Sequence, residues 1–416
     1  MAHASPEPLT PGEDSYSISR RCSHVVSALG MATLAVSTIV PTVSAHGGEH
    51  TPNIPQWYGL AVVLLGIGVL GASIVAKRRI RSATNDRALV GVFLGVLITA
   101  IGGILLVQLS PIETYSASNM PFPRDWYLVL ALGTGSAILL GSALLGPLWW
   151  PARPRYTILG ALLGAWILYP VVMPNEGTFH PLGYLLAGAV PVTVGYIVWR
   201  DGRRLLRAVG RDVVARRFGI GIGVVVSIFF LFSTGALSFV PEDGSIGGRS
   251  IMDVPAFLHT QPAANPLVMW PAIELWVPQI PLTAFVSIGL VLLVGLIGTL
   301  VGLNAMLGAY QWRHSTTTSS TRSTAGAAAL VGPNACGCCG PVLAELAVVL
   351  LGPSAAAPLY WLFVDFSSPV GSLFFVVSVA LLTGSFVYAT EVLLPDRCSV
   401  DREERLEGTD FTDQAG

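Results

Sequence analysis

The feature that most constrains this chain is the recurrence of apolar stretches about as long as a bilayer is thick. A hydrocarbon core of about 30 Å needs roughly 20 apolar residues per helix. Nine such stretches run over 57–76, 88–109, 126–148, 156–173, 181–199, 218–239, 282–309, 325–352 and 369–394. A further one, 24–45, precedes them. Charged residues make up 11% of the 416 positions, where a soluble domain carries about 25%. Five cysteines are too few for a disulfide framework. The sequence therefore predicts an all-α fold. It is a polytopic integral membrane helical bundle of nine mature spans plus an N-terminal signal or anchor segment.

Charge asymmetry orients the bundle. Cytoplasmic loops of membrane proteins carry the excess of Lys and Arg. Of 23 Lys and Arg residues, 21 fall on one side of the spans, and only Arg124 and Arg249 fall on the other. The C-terminus is thus expected in the cytoplasm, with residues 46–56 and the loop 240–281 outside a multi-pass cell membrane protein. Alternation would scramble if one helix were miscounted, so the same asymmetry supports the count.

The remaining segments read as follows. Residues 1–18 are polar and expected to be disordered. Residues 19–45 open with Arg20-Arg21 and end in Val43-Ser44-Ala45. That pattern fits a cleavable signal peptide with a twin-Arg flavour, or an uncleaved signal anchor that adds a tenth span. The region 46–312 holds seven spans. Residues 313–324 form a linker, with Ser or Thr at nine of the ten positions 315–324. Residues 325–394 form a two-span unit containing cysteines, and 395–416 an acidic cytoplasmic tail. In the outer loop, the aromatic stretch after Pro266 is expected to lie in the membrane interface, anchored by Trp270 and Trp276.

The first four spans carry a trace of repetition. Trp57-Tyr58 recurs as Trp126-Tyr127, 69 residues on, and Gly66, Gly91 and Gly95 recur as Gly135, Gly160 and Gly164. Aromatic residues collect at membrane interfaces without any duplication. A true duplication predicts that 55–109 and 124–174 are equivalent hairpins.

The chemistry concentrates in Cys336-Gly337-Cys338-Cys339-Gly340-Pro341, inside the eighth apolar stretch. That stretch has 28 residues, about 42 Å if helical throughout. It exceeds the bilayer core, and Pro333 and Pro341 interrupt it, so a broken or re-entrant helix is expected. The cysteines would then lie roughly halfway along, where transporters place their sites. Thiolates bind soft ions such as Cu(I) and also run disulfide exchange. Glu345 lies seven residues past Cys338 on the same helical face. It is the candidate for proton coupling, because a carboxyl within a span is costly and functional by default. The alternative is that the cysteines are small apolar packing residues.

Over about 20 residues, Cys338-Cys339-Gly340-Pro341-Val342-Leu343 resembles the vicinal-cysteine helix of mercuric-ion transport membrane proteins. Its Cys339-Gly340-Pro341-Val342-Leu343 part is also similar to a Cys-x-Gly-Pro helix of DsbD/CcdA-type thiol–disulfide conduits. The first resemblance implies soft-metal transport. The second implies electron transfer through a cysteine pair, with the partner cysteine on a separate helix. Spans one to seven hold no such partner.

A second soft-ligand group, His46-Gly47-Gly48-Glu49-His50, opens the translocated N-terminus. Cleavage after Ala45 would give His46 a free α-amino group, resembling copper-binding proteins that use an N-terminal His. His180, His259, Met120, Met173, Met252 and Met269 map to the same side. Seven arginines in 200–217 suit anionic headgroups or simply enforce topology. No P-loop, H-E-x-x-H or G-x-S-x-G pattern occurs, and nothing points to an enzyme or to nucleic-acid binding. The expected function is soft-metal handling, with copper or another soft ion as cargo. His46 and His50 would capture it; Cys336, Cys338 and Cys339 would relay it; Glu345 would balance protons. A copper- or thiol-carrying protein would be the partner. The alternatives are a thiol–disulfide electron carrier and a non-catalytic subunit or assembly factor of a membrane complex.

Overall fold

A computed structural model describes residues 55–79, 85–110, 125–173, 179–239, 245–246, 249–250, 255–264, 266–277, 282–314, 339–352, 358–359, 362 and 368–393. The helices are α1 Trp57–Arg79, α2 Asn85–Gln108, α3 Asp125–Trp149, α4 Pro154–Val172, α5 Pro181–Gly210, α6 Val213–Ser233, α7 Ile288–His314, α8 Cys339–Leu351 and α9 Pro369–Leu393. Between α6 and α7 lie β1 Leu237–Phe239, β2 Ser245–Ile246, β3 Arg249–Ser250, β4 Phe257–Ala264, β5 Met269–Val277 and β6 Leu282–Ser287. Among the described residues, eight helices are long and apolar enough to cross a membrane, which agrees with a helical membrane bundle; of the eighth expected span only the part from Cys339 on is described. The segment 19–45 lies outside the described residues.

The helix ends follow local chemistry. Pro154 and Pro181 open α4 and α5 at positions whose N–H would be unpaired in any helix. Asp212 caps α6, its carboxylate accepting from the Val214 and Ala215 amides at 3.0 and 3.2 Å. Ser287 caps α7, accepting from the Leu290 amide at 3.1 Å.

Two expected spans end differently. The apolar stretch 218–239 leaves its helix at Ser233 and continues as β1. The stretch 282–309 begins as β6 and becomes helical only at Ile288. Of the eighth stretch residues 339–352 are described, 13 of them as the helix α8. A run of apolar residues has no period of its own, so hydropathy does not separate a buried strand from a helix.

Helices in lipid gain nothing hydrophobic by associating, so they rely on close backbone contact. At the centre, Gly219 and Gly223 of α6 interlock with Gly298 and Gly302 of α7. A Cβ added at Gly219 would fall 2.6 Å from the Gly302 carbonyl oxygen, and one at Gly223 would fall 2.9 Å from that of Gly298. About this crossing α7 is 67% buried over its span, against 11% for α1 and for α3, so α7 is the hub and those two are peripheral. Asn304 ties the hub to α9. Its amide donates to the Leu300 and Leu382 carbonyls at 2.8 and 3.0 Å, and its oxygen accepts from the Ser385 hydroxyl at 2.6 Å.

The α1–α2 and α3–α4 hairpins pack in one register. Gly91 faces Ser73, and 69 residues on Gly160 faces Ser142. Gly95 faces Leu70 as Gly164 faces Leu139; Gly66 approaches the Gly95 carbonyl as Gly135 approaches that of Gly164. The helices α2 and α4 begin at the matching positions Asn85 and Pro154. Scattered glycines and interfacial aromatics do not reproduce a pairwise contact pattern, and the duplicated hairpin is its simplest cause.

One end of the bundle is clipped by ion pairs. Arg313, closing α7, reaches Asp86 of α2 at 2.9 Å and Asp212 at 2.5 Å. Lys77 of α1 donates to the Trp312 carbonyl at 2.7 Å and lies 4.0 Å above the Trp312 ring. Arg155 of α4 pairs with Asp201 of α5 at 2.5 Å, and the Tyr156 hydroxyl donates to the same carboxylate at 2.8 Å. Burial pushes the Asp212 carboxyl up, but the Ala215 and Val214 amides and the Arg313 guanidinium more than reverse this and hold it below the usual carboxylate value.

The expected outer loop folds as an antiparallel sheet of order β1-β6-β5-β4 and a small β2–β3 ribbon. Trp270 is a buried docking residue. It is 6% exposed, packs edge-on to Tyr184 at 4.7 Å, and donates its Nε1–H to the Pro266 carbonyl at 2.9 Å. The Tyr184 hydroxyl donates in turn to the Met269 carbonyl. Trp276 is half-buried and stacks on Phe257.

Two outcomes follow from this packing. Gly302→Val should lower the unfolding free energy of the detergent-solubilised protein by about 1–3 kcal/mol through overpacking. Gly295→Ala, whose added Cβ meets nothing within 4 Å, should leave it unchanged. Asp212→Asn keeps the cap but removes the charge. Because the native carboxyl binds its proton more weakly than the unfolded one, its contribution is present at neutral pH and fades as pH falls through the native value. The variant should therefore start about 1 kcal/mol lower at neutral pH and lose less on acidification, as read by denaturant titration across pH.

Candidate functional site

The site is built from the end of one helix hairpin and the middle of the short helix α8. That helix starts at Cys339, so Gly340 and Pro341 fall in its first turn. A proline is tolerated there because first-turn N–H groups have no helical acceptor. Six residues on, Glu345 is 1% exposed. Its Oε2 accepts from the Gln56 side-chain amide at 2.8 Å. The same Gln56 nitrogen donates to the Leu106 carbonyl near the end of α2, also at 2.8 Å. Ser110, just past that end, is the second hydrogen-bonding partner of the carboxyl. Gln56 precedes α1 and Ser110 follows α2, so one carboxyl joins three chain segments far apart in sequence.

Glu345 thus sits level with the end of the α1–α2 hairpin. Among the described residues both partners of the carboxyl are neutral. A buried carboxyl without a cation is expensive unless hydrogen bonds or a proton compensate it. Gln56 and Ser110 are partners of Glu345 at the candidate site that the sequence does not single out. The available signal was a polar pair flanking the two apolar stretches of one hairpin.

Cys336, Cys338, His46, His50, Met120 and Met252 lie outside the described residues. Cys339 is described only as the first residue of α8. His259 is exposed on β4 opposite Glu274. His180 precedes α5, its ring 6.4 Å from that of Tyr169, with a buried Nδ1 that has no hydrogen-bond partner. Met173 and Met269 close α4 and open β5. Among the described residues, no group of three His, Cys, Asp or Glu side chains converges to hold a metal ion.

The chain matches no family model, no curated protein and no solved structure.

Removing the donor that spans the site has a defined cost. Gln56→Leu strands the Glu345 oxygen and the Leu106 carbonyl, and should destabilise the protein by about 1–3 kcal/mol. Gln56→Leu combined with Glu345→Leu should recover part of that loss, because an apolar pair strands no carboxyl. A double-mutant cycle by denaturant titration measures both.

Proposed function

We propose that the protein is a membrane carrier of a soft metal ion, with Cu(I) as the leading cargo. Cys336, Cys338 and Cys339 relay the ion, and the Glu345 carboxyl exchanges the protons released when thiols ionise. External His46 and His50 supply the capture ligands. The observation that carries this reading is the buried Glu345 on the same short helix that Cys339 opens. Metal binding by thiols releases protons, and a carboxyl two helical turns away is placed to receive them. The neutral partners Gln56 and Ser110 leave that carboxyl uncommitted to any cation. On the charge-based orientation, the carboxyl end of the hairpin faces outward, the side on which His46 and His50 lie.

Purified protein reconstituted in vesicles should bind Cu(I) and accumulate it. Changing Cys336, Cys338 and Cys339 together to Ser should abolish both. Glu345→Gln should retain binding yet slow accumulation at least tenfold. Unchanged binding and uptake in the triple variant removes the proposal. A redox-dependent change in cysteine alkylation without metal uptake would point to the thiol–disulfide carrier instead.

A further inference from the structure

The sheet has two chemically different faces. Side chains alternate across a strand, so Trp270, Ala272, Glu274 and Trp276 of β5 share one face, and Ile273 and Leu275 share the other. On the first face, Glu274 accepts from the Gln261 amide at 2.6 Å and from the Trp276 indole at 2.7 Å. Trp270 docks this face onto the bundle, pressed against Gly289, where an added Cβ would meet the indole at 2.6 Å.

Among the described residues the second face is exposed and mostly apolar, with Thr260 of β4 its polar member. Ile273 pairs with Val286 of β6, and Leu275 with Leu258 of β4. These four are 49, 48, 40 and 63% exposed. Polar water is a poor neighbour for such a cluster on a chain whose helices already seek lipid. The face does not stop at the sheet. Strand β6 runs directly into α7 at Ser287–Ile288. An open groove of about 660 Å³ joins Ile273 and Val286 to Ile288, Val291 and Leu292 in the first turns of that span. Ile288 and Val291 are 61 and 56% exposed, and as part of a membrane span they face acyl chains. Ser287 at the joint is 3% exposed and accepts from the Leu290 amide, so the exposed apolar surface runs on past it, with Thr260 and Gln261 at the β4 rim of the groove.

We propose that this face is a lipid-contact surface, with the sheet lying in the interface of the leaflet where α7 begins and the groove holding a phospholipid acyl chain. The free edge of the sheet fits such a depth. Unpaired strand N–H groups are excluded from the hydrocarbon core but tolerated among headgroups. Edge strand β4 carries Pro262, which has no N–H to leave unpaired.

Photo-crosslinking from the full chain in native membranes tests this. A p-benzoylphenylalanine is placed singly at Ile273, at Leu275 and, as the lipid-facing reference, at Val291. After irradiation and purification, intact-mass measurement should show phospholipid-sized adducts at Ile273 and Leu275, within about threefold of the yield at Val291. Adducts at Val291 with none at either sheet position would overturn the proposal. So would protein-sized adducts at the sheet positions, which would make the face a docking surface for a second copy or another protein. Collisional quenching keeps the test independent of crosslinking yield. An environment-sensitive fluorophore replacing the side chain at Ile273 should be quenched by brominated phospholipid more strongly than by iodide. The reverse order would also overturn the proposal.

Discussion

The close crossing of α6 and α7 at four glycines is the contact on which the rest of the bundle depends. In a bilayer the apolar side chains are solvated by lipid as well as by each other, so burial alone does not hold helices together. Dispersion contacts and weak Cα–H···O contacts reward only helices that approach closely. The Gly219, Gly223, Gly298 and Gly302 positions allow this approach and make α7 the most enclosed span. The hydrogen bonds of Asn304 and Ser385 then attach α9 to the same hub.

Around that hub the polar chemistry is pushed to the two ends. At one end Arg313 pairs with Asp86 and Asp212, Arg155 pairs with Asp201, and Lys77 donates to the Trp312 carbonyl, which joins α1, α2, α4, α5, α7 and the cap of α6. At the other, amide and hydroxyl groups do the joining. Gln108 donates to the Phe232 carbonyl at 3.4 Å and accepts from the Phe239 amide at 2.9 Å, linking α2 to the start of the sheet. Gln56 and Ser110 hold Glu345 at the same hairpin end. The described bundle thus has a charged set of contacts at one end and a neutral set around a buried carboxyl at the other.

Much of this fold was legible in the chain. Long apolar stretches announce spans because an unpaired backbone cannot sit in hydrocarbon. The spacing of Gly66, Gly91, Gly95 and their counterparts announced the repeated hairpin, since a glycine contact fixes its own register. The sheet was not legible. Met269–Val277 is apolar or aromatic on both faces apart from Glu274, so its alternation is masked. The prolines at 262, 266, 271, 278 and 281 excluded a helix there, and that was the unused signal. Glu345 was singled out by its cost in an apolar segment. Its partners were not, because Gln56 and Ser110 are ordinary polar residues until α8 is placed against them.

The amino-acid order alone determined that the chain is a helical membrane protein, where its principal helices run, and that two hairpins share a contact pattern. These are properties of single segments and of spacing, and each is dictated by transfer of a nearby stretch from water to lipid. Only the tertiary structure decided that α7 is the hub, that a strand replaces the first turns of its span, and that one buried carboxyl meets an amide 289 residues away. Those outcomes depend on which surfaces approach closely enough to exclude lipid, and no local preference encodes that distance.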